Sequence, residues 1–196
     1  VLVAISYPVS LPAENATALV EMRAINAVSV SRSPLSFDES RYSWGGEMWQ
    51  SDVTLKPMRR PDAEKWLAFL LSLRGQFGTF LLGDPMGCAA RGTATSATVT
   101  GSQGDRSVTV SMSGTLLAGD YIQLGSGSDA TLHKVVSDKT GGGTLEIWPA
   151  LRKDRTSASA TLDNAKGVFR LATNEFAWSV NELAIYGVTF PAVEVI

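Results

Sequence analysis

Apolar and polar positions alternate along the first sixty residues. Ala27-Val28-Ser29-Val30-Ser31 and Val53-Thr54-Leu55 show the period of two that marks a strand with unlike faces. Pro8, Pro12, Pro34 and Pro57 punctuate these runs, so the segment predicts an antiparallel sheet. Trp44 and Trp49 flank Gly45-Gly46. The stretch from Arg41 to Met58 reads as a long bent strand or a hairpin in which the glycine pair admits a bulge, with the aromatics as core or interface anchors.

The pattern changes to a helical period at Pro61. Proline suits the first helical position, Asp62 and Glu64 complement the positive end of the helix dipole, and Gly75 is placed to stop the helix after Arg74. Ala63, Trp66, Leu67, Leu70 and Leu73 form the stripe expected to face the sheet, against the strand through Phe80 to Leu82. Phe69 and Leu71 widen it. Phe69 lies off the stripe and is therefore a candidate subunit-interface residue, as are Trp44 and Trp49; the surplus apolar surface faces a partner subunit or a second layer of the same domain.

From Thr93 the chain turns to Thr, Ser, Ala and Gly with short apolar runs. Residues 96–100 and 107–112 predict a hairpin, and 121–124, 132–136 and 145–148 predict further strands, five in all, enough for a small OB-like barrel. After Gly167 the denser apolar pattern returns in Val168-Phe169-Arg170-Leu171 and continues to Phe190. The expected fold is mainly β: a β-sandwich core with one α-helix, formed by the discontinuous segments 1–92 and 167–196, carrying an inserted barrel of 93–166. No internal repeat of useful length is present.

Composition narrows the function. Of 196 residues 44% are apolar, which suffices for a core, and 17 basic against 19 acidic residues leave a net charge of −2. Such a balance provides no field for nucleic acid or anionic lipid, and within 93–166 seven basic residues meet seven acidic ones, so the barrel has no oligonucleotide track. No window is long and apolar enough to span a bilayer, and Val1-Leu2-Val3-Ala4-Ile5 lacks the basic start of a signal peptide, which predicts a soluble protein made in a cytoplasm.

Candidate chemistry is sparse. One cysteine, Cys88, and one histidine, His133, provide neither a disulfide nor a zinc site, and Cys88 lacks the basic neighbour of a nucleophile. His133 reads as a structural or exposed strand residue. Asp38, Glu39, Glu47 and Asp52 read as solvated loop acids rather than a hydrolytic carboxylate pair. Gly125-Ser126-Gly127-Ser128 and Gly141-Gly142-Gly143 open no helix and read as hairpin turns rather than phosphate loops. The basic knot Arg152-Lys153-Asp154-Arg155 is a solvated loop or a salt-bridging contact to a neighbouring subunit. No catalytic residue, cofactor or metal is expected, and the chain does not read as an enzyme.

Several segments together carry a family resemblance. They are the helix 61–74 running into Gly75-Gln76-Phe77-Gly78-Thr79-Phe80, the turn Gly83-Asp84-Pro85 with Arg91-Gly92, Leu117-Ala118-Gly119-Asp120-Tyr121-Ile122, Trp148-Pro149-Ala150-Leu151-Arg152 and Gly167-Val168-Phe169-Arg170-Leu171. In these, from about Trp44 onward, the chain resembles the distal tail proteins of long-tailed bacteriophages, in the branch with an OB-like insertion. Met86-Gly87-Cys88-Ala89-Ala90 departs from that pattern by being more apolar. The resemblance implies a structural virion protein that forms a hexameric ring at the tail tip, partnered by the tail tube protein and the baseplate hub protein. A second class of function is a carbohydrate-binding module for a host-surface saccharide, with Trp44, Trp49 and Trp148 stacking on sugar rings. A third, a tail-associated hydrolase, is disfavoured by the missing histidines and unpaired carboxylates.

Overall fold

The computed structural model describes residues 5–12, 16–86 and 89–196. Cys88 lies outside them. Two long strands, β1 (Thr17–Arg32) and β2 (Glu39–Leu55), precede the short β3 (Met58–Arg59), the helix α1 (Arg60–Ser72) and β4 (Thr79–Leu82). Then come β5 (Ala97–Gly101), β6 (Ser107–Met112), β7 (Thr115–Leu116), β8 (Tyr121–Leu124), β9 (Thr131–Val135), β10 (Lys139–Thr140), β11 (Gly143–Trp148) and β12 (Arg155–Thr161). The chain closes with β13 (Gly167–Leu171), β14 (Trp178–Val180) and β15 (Ile185–Glu194).

The protein is mainly β, with sheets, a small closed barrel and, among the described residues, one α-helix. One sheet runs β1-β2-β15-β13-β4, and the first half of β15 instead pairs with β14 and β3. Because β15 serves both groups of strands, it bends around the core that α1 closes. Trp66, Leu70, Leu73, Phe80, Phe169 and Phe190 fill that core, every one nearly or wholly buried. The helical stripe is as the periodicity predicts: Ala63, Trp66, Leu67, Leu70 and Leu73 are all buried. The helix ends where Arg74 and Gly75 both take positive φ, and a Cβ on Gly75 would stand 2.8 Å from Asn174 Oδ1.

Phe69 requires a correction. It is 6% exposed and packs edge-on against Trp66 and Phe80, with ring centroids 5.8 and 5.7 Å away. At about 100° per residue, Phe69 and Leu71 lie on opposite flanks of the stripe. The Phe69 flank meets β4 and is covered; the other leaves Leu71 62% exposed. Leu71, not Phe69, is the apolar residue that this helix shows to solvent.

The barrel is closed by six strands, β11-β6-β5-β12-β8-β9, rather than the five read from the sequence. The unread strand is β12, whose Arg-Thr-Ser-Ala-Ser-Ala-Thr carries no large apolar side chain. Val99, Val110, Ile122, Leu124 and Leu145 point inward with exposures of 1% or less. The chain enters and leaves the barrel side by side. Ala90 N–H donates to Leu162 O at 3.0 Å, and a Cβ on Gly83 would sit 2.1 Å from Ala165 O, a contact only glycine permits. Asp120 holds this entry, accepting from the backbone N–H groups of Leu117, Arg91 and Gly92 and from Arg91 Nε. Burial works to raise its pKa, but these hydrogen bonds win and it lies below the usual carboxylate value.

Candidate functional site

Two features of the surface distinguish this fold: a lock between sheet and barrel, and a ribbon that leaves the body beside it. The lock is built on β2 and β15. Glu47 Oε1 accepts from Arg106 Nε at 2.8 Å and Glu47 Oε2 from Ala150 N–H at 2.8 Å. Arg152 donates through Nε and Nη2 to both oxygens of Glu194, at 3.2 and 2.7 Å, and through Nη2 to Glu47 O at 2.7 Å. Glu194 Oε2 also accepts from Trp49 N–H at 2.9 Å. Both carboxylates are buried and fully engaged, the arrangement in which a desolvated ion pair is tolerated.

Several sequence expectations change here. Glu47 is not a solvated loop acid but a buried strand residue, because its partners Arg106 and Ala150 lie far along the chain in the barrel. Asp52 pairs with Arg23, and Glu39 with Arg41. Asp38 has no ion pair among the described residues. The basic knot bonds inside the chain: Arg152 as above, and Lys153 and Arg155 to Asp129 at 2.7 and 2.5 Å. Those two hydrogen bonds hold the Asp129 carboxyl below its usual value.

Of the candidate interface residues, Trp49 is also corrected. It is 4% exposed, donates from Nε1 to Leu132 O at 2.9 Å and meets Trp148 edge-on at 4.5 Å, so it joins sheet to barrel and offers no open ring face. Trp148 in turn donates from Nε1 to Asn26 Oδ1 at 2.9 Å. Trp44 is 71% exposed and meets the Tyr42 ring edge-on at 4.7 Å.

His133 is structural. Its Nδ1 lies 2.8 Å from Pro149 O and its Nε2 3.0 Å from Thr131 Oγ1. A carbonyl can only accept, so Nδ1 carries the proton, and the single hydroxyl hydrogen of Thr131 serves either Nε2 or Leu124 O, 3.3 Å away. Burial, helped by the nearby Arg152 and Arg155 charges, lowers its pKa to about 4. It is wholly buried, and no group of three or more His, Cys, Asp or Glu capable of holding a metal exists among the described residues.

The ribbon is the outer part of the β1–β2 hairpin. From residue 23 to 46 every position except Ser33 is exposed. The pairing is regular from Arg32↔Glu39 to Val28↔Ser43 and from Asn26↔Glu47 to Leu19↔Thr54, with two extra β2 residues between the two runs at Gly45-Gly46. Two extra residues preserve the alternation, so each face stays continuous through the bulge. The inner face, which carries Trp49 and Asn26 toward the barrel, continues as Val28 and Val30. The outer face carries Ile25, Tyr42 and Trp44. Leu35, 92% exposed, and Phe37 stand at the tip, where Arg32 lies over the Phe37 ring at 5.0 Å.

At the root of the ribbon lies a cleft of about 350 Å³ between β1 and the barrel. Met22, Ala24, Trp148 and Val136 form its apolar walls. Lys134, whose Nζ donates to Tyr121 OH and sits 4.3 Å from that ring's centroid, has no carboxylate partner among the described residues.

No protein-family model matches the chain, and no curated protein matches it. No helix among the described residues is long and apolar enough to cross a membrane.

Proposed function

We propose that this chain is a structural virion protein, a distal tail protein whose hexameric ring joins the phage tail tube to the baseplate hub and receptor-binding tip. The phage assignment rests on the family resemblance of the chain from about Trp44 onward. The observation that supports an assembly role is the ribbon of residues 23–46. A lone two-stranded hairpin is marginal in water. This one nevertheless exposes Ile25, Val28, Val30, Leu35, Phe37, Tyr42 and Trp44, far more apolar surface than an isolated protein carries without use. In this reading the tail tube protein and the hub protein are the ring's axial neighbours, the protein resides at the virion tail tip after synthesis in the host cytoplasm, and it performs no catalysis.

Light scattering and electron microscopy of the purified chain, and of tail particles containing it, test the proposal. Six-membered rings are expected; a chain that stays monomeric at every concentration and inside the particles refutes it. The carbohydrate-module reading loses one of its three tryptophans, since Trp49 is buried. Saturable saccharide binding by a monomeric chain would favour that reading instead.

A further inference from the structure

The ribbon has two apolar faces. Ile25, Tyr42 and Trp44 stand on one, Val28 and Val30 on the other, and along β1 the second face runs on through Ala24 and Met22 into the cleft against the barrel. A partner that covered one face would leave the other in water. In an isologous pair, like meets like: outer face on outer face, with the inner stripe of both copies still exposed. A heterologous contact, outer face on inner face, covers both with a single repeated interface.

We propose that in the ring the outer face of each ribbon, bearing Ile25, Tyr42 and Trp44, stacks on the inner face of the next copy's ribbon and on the cleft at its root. This rests on the ring reading above. The occupant is a second copy of this chain, and three observations select it. The first is the face complementarity just described, which one sequence satisfies by itself. The second is area: an aromatic side chain buries about 150 to 250 Å². Phe37, Tyr42 and Trp44, each more than half exposed, therefore supply with the aliphatic residues beside them a substantial part of the about 800 Å² per partner of a specific interface. The third is charge. Residues 27–46 hold Arg32 and Arg41 against Asp38 and Glu39, a net of zero that draws neither nucleic acid nor anionic lipid.

Cysteine crosslinking tests the order of faces directly. In the full chain the native thiol is removed by Cys88→Ser. Ser29→Cys, paired across the ladder with Tyr42, then marks the outer face, and Ser43→Cys, paired with Val28, marks the inner one. The two are on opposite faces of one ribbon and cannot join within a chain. Ser31→Cys serves as a second outer position. The crosslinker is a bifunctional thiol reagent shorter than the about 10 Å between stacked sheets, and the reaction is read only on preparations in which microscopy shows rings.

Each single variant should remain uncrosslinked. The outer-plus-inner double variants should give a ladder of covalent species from dimer up to the full ring. A dimer from Ser29→Cys or Ser31→Cys alone would overturn the proposal in favour of like-on-like pairing. Rings without a ladder from either double variant would also overturn it, because the ribbon would then be covered by another surface or by a different tail protein. Absence of rings under all conditions instead refutes the functional reading on which this one rests.

Discussion

His133 makes acid stability a measure of how the barrel is packed. The imidazole is buried between Pro149 O and Thr131 Oγ1, and its pKa falls from 6.5 to about 4. The folded state therefore disfavours the protonated form that the unfolded chain accepts below pH 6.5. Stability is fully present above pH 6.5 and is lost as pH falls toward 4. A difference of about 2.5 units corresponds to about 3 kcal/mol in full, and to roughly 2 to 3 kcal/mol between pH 7 and pH 4.5. Asp120 and Asp129, both with lowered pKa, also lose stability in acid, but only below the usual carboxylate value near pH 4. Urea unfolding of the native chain and of His133→Gln across pH 7 to 4.5 isolates the imidazole, since all other groups cancel in the difference. The native chain should fall more steeply by that amount. Parallel curves would show that His133 is hydrated or already charged in the fold, and would refute the packing argument.

Two other substitutions follow from the geometry. Arg152→Ala should destabilise by about 3 to 5 kcal/mol in chemical unfolding, because it leaves Glu194 buried with only the Trp49 N–H as partner; a loss below 1 kcal/mol would mean that water replaces the guanidinium. Phe69→Asp should unfold the chain rather than merely impair assembly, since the side chain is enclosed by Trp66 and Phe80; native-like circular dichroism with a normal melt would return Phe69 to the surface.

The helix was legible because its signals are local. Pro61, the stripe from Ala63 to Leu73, and Gly75 all lie within fifteen residues, and the periodicity places every buried side chain of the helix except Phe69. Five of the barrel strands were legible through their valine, isoleucine and leucine positions, whereas β12 was not, because serine, alanine and threonine carry no period that distinguishes a strand from a loop. Phe69 and Leu71 are equivalent in sequence terms; only the position of Phe80 decides between them. Glu47 was misread for a similar reason, since a carboxylate is solvated or buried according to partners 59 and 103 residues away. The ribbon shows the opposite limit. Its alternation was visible, but alternation implies a buried face, and within one chain neither face of residues 27–46 is buried.

The lock and the ribbon meet on β2, and that adjacency has a consequence for the barrel. Glu47 and Trp49, the residues the barrel grips, directly follow the Gly45-Gly46 bulge from which the ribbon departs. The barrel thus fixes the direction of the ribbon while contributing little to the deeper core: Leu70, Phe80, Phe169 and Phe190 pack among sheet and helix, and only Tyr121, Leu132 and Ala165 reach that cluster from the barrel side. Replacing 93–166 by a short Gly/Ser linker is sterically simple, since the two crossings lie side by side at Gly83 and Ala165. It exposes Trp49, at about 1.5 to 3 kcal/mol for one large side chain, and it returns Glu47 and Glu194 to water, where they need no partner. The shortened chain should therefore keep a cooperative melt at lower temperature, yet form rings poorly because nothing holds the ribbon root. A molten product would show that sheet and barrel share one indivisible core, and rings formed at the native concentration would show that the ribbon keeps its direction without the barrel.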